Sequence, residues 1–246
     1  MLTEQRYEII LQRLSENGSV TVQEMMKELD ASESTIRRDI TALHKTGKLI
    51  KVFGGAVEKS EDFLLADKEV SEREELNVKE KKRIAKYAAS IIKDEDFVYL
   101  DTGTTTLYMV DYITTKNTVF VTNFITIAKR LTAKGMKVYL LGGEYKYKTE
   151  AIVGNEAVMN LSKYHFTKGF FGTNGVTEKE GFTTPELNEA IVKQTAMEHC
   201  KEPYVICDHT KFERICPVSF GEFGSAVIIT DKTKTEDKTY ENVITV

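Results

Sequence analysis

The sequence predicts an α/β protein with two domains, a winged helix-turn-helix followed by a larger domain built on a parallel sheet. Three observations lead to this prediction. The first sixty residues show apolar residues at helical spacing and end in a short alternating stretch. From residue 79 onward, short apolar runs of strand length alternate with helical segments. The chain has 246 residues, enough for two domains of about 100–200 residues each.

The composition limits the class of protein. Charged residues make up 29% of the chain, and the longest apolar runs, such as residues 97–100, are too short to cross a membrane. Glu4, Arg6 and Glu8 make the N-terminus unlike a signal peptide. The three cysteines are odd in number and lack paired C-x-x-C spacing, which predicts a reducing cytoplasm, with neither a disulfide framework nor a zinc site. We expect neither a metal nor a cofactor.

The N-terminal residues predict two helices before the central motif. Residues 3–17 carry apolar residues at helical spacing. Residues 19–22 are predicted to form a short extended link. Thr21 followed by Glu24 is a capping box, which begins a second helix at residues 22–29. A tight turn then leads to a third helix, and two short helices joined in this way are typical of a helix-turn-helix.

The third helix, residues 32–43, has the features of a DNA-recognition helix. Ser32 suits the N-cap, and the apolar residues Ile36, Ile40 and Leu43 form one inward-facing stripe. The residues off that stripe are short hydroxyls and arginines, which suit phosphates and base edges: Ser34, Thr35, Arg37 and Arg38. Taken alone, the stretch is also typical of a solvated amphipathic helix, and the neighbouring sequence decides between the two.

The charge distribution favours the DNA-binding interpretation. Residues 34–53 contain five basic residues and one acidic residue, a local charge of +4 in a chain whose net charge is −4. Residues 48–53 alternate as a strand, Gly54 and Gly55 form a turn, and residues 56–58 return. These two strands predict a wing, where Lys51 is placed to neutralise phosphate.

The motif in residues 34–40, followed by Gly47, Leu49 and residues 54–56, resembles the signature of the DeoR family of bacterial transcriptional regulators. The family's wing usually reads Arg-x-His-Gly-Gly-Ala, and here Lys51 and Phe53 replace the arginine and the histidine. The resemblance implies a homo-oligomer, a dimer or a tetramer, on double-stranded operator DNA. The residues predicted to contact DNA are Thr21, Ser32, Ser34, Thr35, Arg37, Arg38 and Lys51.

The predicted domain boundaries follow the change in pattern. Residues 1–58 form the DNA-binding domain, residues 59–78 a polar and highly charged linker, and residues 79–246 the second domain. In the second domain, strands are predicted near residues 97–100, 119–121, 138–141, 169–171, 204–206 and 227–229. Helices are predicted at residues 107–113 and 125–133. This alternation is typical of a mostly parallel sheet covered on both faces.

Polar and small residues follow the predicted strands, where ligands of parallel sheets bind. Residues 101–106, Asp-Thr-Gly-Thr-Thr-Thr, lead directly into a helix and suit a phosphate, although ordinary helix capping explains such a loop as well. The same strand ends resemble the family's effector domain, which is similar to the fold of sugar-phosphate isomerases and CoA-transferases. The predicted effector site consists of Asp101, Thr102, Gly103, Thr104, Thr105, Thr106, Thr122, Asn123, Gly142, Gly143, Gly172, Asn174, Lys193, Asp208 and Lys211.

The sequence favours ligand binding without turnover. In the related isomerases, the loop that corresponds to residues 172–175 carries acidic residues, but here Asn174 and Gly175 cannot act as a general base. We therefore assign no catalytic residue. The alternative is an isomerase-like enzyme with an appended DNA-binding domain.

The resemblance to regulators of fructose or lactose utilisation depends on residues 181–185, Glu189 and Lys193. It predicts a repressor of a sugar-utilisation operon that is released by a phosphorylated sugar. Fructose 1-phosphate is the first choice of effector and tagatose 6-phosphate the second.

Overall fold

The computed structural model describes residues 2–52, 54–57, 70–233 and 240–246. The chain divides into two compact units, Met1–Leu64 and Leu65–Val246. The wing residue Phe53 and most of the predicted linker lie outside the described residues. None of the helices in the described ranges is long and apolar enough to cross a membrane.

The first unit contains three helices and a small antiparallel sheet. The helices are α1 Thr3–Asn17, α2 Val22–Leu29 and α3 Glu33–Lys45, and the strands are β1 Ser19–Thr21, β2 Ile50–Val52 and β3 Gly55–Val57. The three helices and the two-stranded wing confirm the predicted winged helix-turn-helix. The predicted extended link instead supplies β1, a third strand that pairs with β3 and gives the order β1-β3-β2. This pairing requires a glycine at Gly55, where a Cβ would lie 2.0 Å from the Val20 carbonyl oxygen.

The core of the first unit contains the predicted stripe of α3. Ile36, Ile40 and Leu43 are buried and pack against α1 and α2. A buried ion pair accompanies this contact: Arg6 on α1 donates from Nε to Asp39 Oδ2 at 2.6 Å and from Nη2 to Oδ1 at 3.2 Å. The bidentate pair fixes α3 against α1 on the side away from the exposed arginines.

The second unit is built on a seven-stranded sheet with helices on both faces. Its helices are α4 Val70–Glu74, α5 Val78–Ile91, α6 Thr104–Tyr112, α7 Ile125–Ala133, α8 Asn155–Leu161 and α9 Leu187–Glu198. Its strands are β4 Phe97–Leu100, β5 Val119–Thr122, β6 Lys137–Leu140, β7 Glu144–Lys146, β8 Ala151–Val153, β9 Phe166–Phe171, β10 Gly175–Thr177, β11 Gly181–Thr184, β12 Cys200–Ile206, β13 Val218–Gly221, β14 Val227–Thr230 and β15 Val243–Thr245. The large sheet has the order β15-β14-β12-β9-β4-β5-β6.

All neighbouring strands of the large sheet run parallel, which confirms the predicted class of sheet. One apolar core lies between the sheet and α5, α6 and α7, and a second lies on the opposite face with α8 and α9. Two smaller antiparallel sheets, β7-β8 and β10-β11-β13, were not predicted. Their strands are only three or four residues long, too short for a clear periodicity.

Two predicted elements differ in extent. Helix α6 begins at Thr104 rather than at residue 107, because the threonine run continues the helix from Gly103. The last part of the predicted linker packs in the second unit, where Val70 is buried in the core beside α5 and α6.

The strand order creates a crevice between β4 and β9. From β4 the chain adds β5 and β6 on one side, and then returns to place β9 and β12 on the other side. The connections that follow β4 and β9 therefore leave in opposite directions. In open parallel sheets, the carboxyl ends of two such strands form the usual ligand-binding crevice.

Candidate functional site

Three of the predicted effector residues meet at the crevice between β4 and β9. Asp101 follows β4, Gly172 follows β9, and Lys193 reaches them from α9. Asp101 Oδ2 accepts a hydrogen bond from the Gly172 amide at 3.0 Å and a short one from the Lys193 ammonium. Lys193 Nζ also donates to the Gly172 carbonyl at 3.1 Å. The three residues thus form one buried polar cluster where the fold predicts a ligand.

The second carboxylate oxygen of Asp101 is the most informative atom of this cluster. Asp101 is fully buried, yet its Oδ1 has no hydrogen-bond partner within the described residues. Burial raises the pKa of Asp101 above its ordinary value, and the Lys193 ammonium opposes that rise. A buried acceptor without a donor is unfavourable by about 1–3 kcal/mol, so this atom suits a ligand hydroxyl.

Charged side chains on α9 and β7 lie near Lys193. Its ammonium lies 5.5 Å from the centroid of the Phe220 ring. One helical turn earlier, Glu189 accepts from Lys146 Nζ at 2.8 Å and from Thr149 Oγ1 at 2.7 Å. Burial alone would raise the pKa of Glu189, but these hydrogen bonds lower it below its ordinary value. Charges of alternating sign therefore extend from Asp101 through Lys193 and Glu189 to Lys146.

The threonine-rich loop forms the N-terminus of α6. Gly103 is the N-cap residue, and Thr104 and Thr105 are buried. Thr106 Oγ1 donates within the loop, to the carbonyls of Asp101 at 2.8 Å and Gly103 at 2.7 Å. This hydroxyl is thus engaged in shaping the turn. The amides of the first helical turn have no partner within the helix, which favours an anion there.

Thr122 and Asn123 hold this loop from the neighbouring strand end. Asn123 Oδ1 accepts from the Thr102 amide at 3.0 Å, and Asn123 Nδ2 donates to the Ile152 carbonyl at 3.3 Å. Thr122 Oγ1 donates to the Leu100 carbonyl at 2.6 Å. Both side chains are buried and bonded to backbone groups, so their visible role is to position the loop.

A second polar cluster lies where β12 ends. Asp208 accepts from Asn77 Nδ2 at 3.0 Å and from the Thr210 amide at 3.0 Å. Burial alone would raise the pKa of Asp208, but its hydrogen bonds with Thr210 and the charge of Lys211 lower it. Lys81, on the second turn of α5, is also buried, and burial lowers its pKa to about 8 against the opposing charge of Asp208.

Lys81 and Asn77 were not among the predicted site residues. Lys81 lies in the charged run of residues 79–83, which in sequence is typical of a solvated helix face. In the structure it points into the protein and donates to the Arg73 carbonyl. Only an alignment of related sequences, in which a retained lysine would stand out, offers a signal for it before folding.

Of the other predicted residues, Gly142 and Gly143 follow β6, and Asn174 follows β9 in the same loop as Gly172. A Cβ on Gly143 would lie 2.4 Å from the Val153 carbonyl oxygen, so this glycine permits the close packing of β7 and β8. Gly142 adjoins it and is exposed. Asn174 Oδ1 accepts from Thr184 Oγ1 at 3.2 Å.

A separate open cavity of about 660 Å³ contains no predicted site residue. It is lined by Glu178, Lys179, Glu180, Gln194, Ser219, Phe220, Gly221, Glu222, Phe223 and Gly224.

The predicted DNA contacts of the first unit divide into two groups. Two hydroxyls cap helices: Ser32 Oγ accepts from the Thr35 amide at 3.3 Å, and Thr21 Oγ1 accepts from the Glu24 amide at 3.1 Å. Both predicted caps are therefore confirmed. Ser34 Oγ lies 3.0 Å from Ser32 Oγ, so hydroxyls cluster at the start of α3.

The second group consists of the basic side chains. Arg37 and Arg38 are both exposed on α3, and Arg37 pairs with Glu33 one turn earlier at 2.7 Å. Lys51 on β2 donates to Thr41 Oγ1 at 2.9 Å, which places the wing lysine beside α3. An exposed ion pair such as Arg37–Glu33 contributes little stability. No group of side chains in the described ranges has the composition of a metal site.

Comparison with known proteins gives the family of both units. The profile described as DeoR-like helix-turn-helix domain matches residues 6–62, and that of the DeoR C terminal sensor domain matches residues 76–232. The uncharacterized HTH-type transcriptional regulator FruR of Bacillus subtilis is 41% identical over 243 residues, covering 98% of this chain and 95% of that protein. The lactose phosphotransferase system repressor of Staphylococcus aureus (strain NCTC 8325 / PS 47) is 34% identical over 250 residues, covering 98% of each.

Among solved structures, ribose 5-phosphate isomerase A from Methanocaldococcus jannaschii matches with a TM-score of 0.41 and 15% identity, over 55% of each chain.

The relatives that match along the whole chain are named as regulators and repressors, which confirms the expectation of a regulator rather than an enzyme. The chain belongs to the DeoR family of transcriptional regulators, with a helix-turn-helix domain followed by a sensor domain.

Proposed function

We propose that this protein represses a sugar-utilisation operon in the cytoplasm and leaves its operator when a phosphorylated sugar binds the sensor domain. The name of the Staphylococcus aureus relative, a lactose phosphotransferase system repressor, supports the class of operon. Asp101 Oδ1, a buried acceptor without a partner in the described chain, carries the proposal for the ligand. It lies beside Lys193 in the crevice, where a sugar hydroxyl would satisfy it.

The phosphate of the ligand is assigned to the carboxyl edge of the sheet. Helices α5 and α6 both run back along the sheet, so their N-termini lie at this edge. The free amides of α6 and the cations Lys81 and Lys211 favour a dianion there. The charges of Lys211 and Lys81 contribute to the lowered pKa of Asp208, which supports a cluster of these three groups. Asp101 follows β4 at the same edge, so we expect a polyol with a terminal phosphate to contact Asp101 with a hydroxyl and the cations with its phosphate.

Fructose 1-phosphate is our first choice of sugar phosphate, and tagatose 6-phosphate is the second. The choice depends on the resemblance of residues 181–185, Glu189 and Lys193 to regulators of fructose and lactose utilisation. Lys193 is buried in the candidate site, and Glu189 supports it from the preceding turn.

A ligand panel tests the sensor proposal. Thermal shift of the full chain against sugar phosphates should give one or two strong stabilisers, because a ligand at 100 times its Kd stabilises by about 2.7 kcal/mol. Lys81→Met should abolish the shift, whereas Lys79→Met, an exposed lysine two residues earlier, should retain it. If no sugar phosphate stabilises the protein, another class of effector is required.

The DNA proposal assigns α3 to the major groove and the wing to the backbone. Arg37→Ala and Arg38→Ala should abolish operator binding in gel shifts while leaving the circular dichroism spectrum unchanged. Arg13→Ala is the matched control, because Arg13 lies on α1 and pairs with Glu16 and Glu28. Unchanged gel shifts for Arg37→Ala and Arg38→Ala would contradict this assignment of α3.

A further inference from the structure

We propose that Lys81 couples the candidate effector site to residues 70–77, called here the entry segment, and that a bound phosphate releases this segment by drawing Lys81 away from it. The entry segment contains α4 and the turn to α5, and it is the first described part of the sensor unit after the DNA-binding unit in the chain. The inference rests on the proposed function, because it takes the phosphate of a sugar phosphate as the ligand of Lys81.

Helix α4 is too short to be stable by itself. It has five residues, Val70–Glu74, whereas isolated helices shorter than about 12–15 residues are marginal in water. The last carbonyl groups of any helix also have no partner within the helix. The stability of α4 therefore depends on its contacts with the rest of the sensor unit, and the loss of any one of them favours unfolding of the helix.

Two side chains of the sensor unit bond the C-terminal carbonyl groups of α4. Lys81 Nζ donates a short hydrogen bond to the Arg73 carbonyl, and Tyr108 Oη donates to the Glu74 carbonyl at 3.2 Å. A cation at this end of a helix also interacts favourably with the helix dipole. At the other end, Val70 is buried in the core beside α5 and α6. Lys81 and Tyr108 thus cap the end of α4 from which the chain continues into the sensor unit.

The groups that cap α4 lie on the two helices to which the phosphate is assigned. Lys81, on α5, is one of the cations proposed for the phosphate. Tyr108 lies on α6, one turn after Thr104, where that helix begins. Asn77, the last residue of the entry segment, donates to Asp208 at 3.0 Å. The entry segment therefore contacts the candidate phosphate site through three side chains.

A phosphate group competes with the Arg73 carbonyl for Lys81. Lys81 is buried, and among the described residues the Arg73 carbonyl is the hydrogen-bond acceptor of its ammonium. That carbonyl is neutral, whereas a phosphate dianion attracts the ammonium with full charges. Movement of the ammonium toward the phosphate lengthens its bond to Arg73, and a hydrogen bond is lost when donor and acceptor are more than about 3.5 Å apart.

The loss of this cap shifts α4 toward its unfolded form. A single hydrogen bond of this kind changes an equilibrium constant by about 2- to 10-fold. The DNA-binding unit is attached to the sensor unit through the chain that precedes α4. When α4 unfolds, this attachment gains freedom that operator binding has to remove again, so the affinity for the operator falls.

Hydrogen exchange of the full chain without ligand tests the capping contacts. Tyr108→Phe removes the hydroxyl that bonds Glu74 and keeps the ring, over which the Lys82 ammonium lies at 5.5 Å. We expect the amides of the entry segment to exchange about 2- to 10-fold faster in this variant. Tyr87→Phe, in the second half of α5, is the matched control and should exchange like the wild type. Equal exchange in Tyr108→Phe and the wild type would overturn the proposal.

Hydrogen exchange with a sugar phosphate tests the coupling itself. Fructose 1-phosphate and tagatose 6-phosphate are the probes. The bound probe should slow exchange in residues 101–106 and accelerate it in the entry segment. Slower exchange in residues 101–106 with an unchanged entry segment would overturn the coupling and leave the proposed sensor function intact. Unchanged exchange in both regions would contradict the proposed function and the coupling together.

Gel shifts with operator DNA, again without ligand, test whether the entry segment affects DNA binding. Tyr108→Phe and Lys81→Met each remove one cap of α4, so both should bind the operator about 2- to 10-fold more weakly than the wild type. Lys79→Met, at an exposed lysine of the same helix as Lys81, should keep the wild-type affinity. Wild-type affinity in variants whose entry segment exchanges faster would overturn the link from α4 to the DNA-binding unit.

Discussion

Replacing Lys193 by methionine tests how much the buried Asp101–Lys193 ion pair contributes to the free energy of unfolding of the sensor unit. Both side chains are buried, with exposed fractions of 5% for Lys193 and 0% for Asp101. Methionine keeps the length and removes the charge, which leaves a carboxylate in the core without its cation. Removing one partner of a buried pair lowers the free energy of unfolding by about 3–5 kcal/mol.

Protonation of Asp101 limits this loss. A carboxyl group of ordinary pKa near 4 requires about 4 kcal/mol for protonation at pH 7, at about 1.4 kcal/mol per pH unit. The destabilisation should therefore reach about 4 kcal/mol at pH 7 and fall to about 1–2 kcal/mol at pH 5. The sign follows from linkage: in Lys193→Met the folded chain binds a proton more tightly than the unfolded chain, so the variant loses stability as the pH rises.

Differential scanning calorimetry at pH 5 and pH 7 measures the effect. For a unit of this size, 4 kcal/mol corresponds to about 8–16 °C in Tm. Lys163→Met, at an exposed lysine after α8, is the control. The double variant Asp101→Asn with Lys193→Met should recover most of the loss, because no charge is left unpaired. A Lys193→Met protein within 1 kcal/mol of wild type at pH 7, or a loss independent of pH, would refute the reasoning.

Three further predictions concern a cap, a titrating lysine and a glycine. Ser32→Ala should lower the free energy of unfolding of the DNA-binding unit by about 1 kcal/mol in urea denaturation, because the Thr35 amide loses its acceptor. Because the pKa of Lys81 is about 8 when folded and higher when unfolded, raising the pH from 7 to 10 should stabilise the ligand-free protein by this group and weaken sugar-phosphate binding in calorimetry. Lys81→Met should remove the dependence of the ligand-free stability on pH in this range. Gly143→Ala should destabilise the sensor unit by about 1–3 kcal/mol, since φ is 147° and the new Cβ would meet the Val153 carbonyl, whereas Gly142→Ala, with 3.9 Å to its nearest neighbour, should be tolerated.

The helices of the DNA-binding unit were predictable because their signals are local. The capping box at Thr21 and the N-cap at Ser32 lie within three residues of the groups that they cap. The stripe of Ile36, Ile40 and Leu43 follows from the helical period alone. The paired strand β1 was not predictable in the same way, because its partner β3 lies more than thirty residues away and the pairing leaves no local signal.

The candidate site was predictable in position and only partly in composition. The rule that ligands bind at the carboxyl ends of parallel strands led to Asp101 and Gly172, and the resemblance to the DeoR family added Lys193. The structure brings the three residues together. Thr122 and Asn123 follow the same rule, but their side chains bond to the protein backbone instead of facing a cavity. Side-chain direction depends on the packing around each strand end, which the residue type does not reveal.

By itself, the sequence determined the winged helix-turn-helix and the parallel sheet, since spacing and composition specify helices and strands, and its motifs resemble those of the DeoR family. Tertiary structure alone decided which distant polar side chains meet. Arg6 pairs with Asp39 33 residues away, Lys193 with Asp101 92 residues away, and Asn77 with Asp208 131 residues away. These contacts depend on strand order and helix packing, which join segments whose separation along the chain carries no pattern.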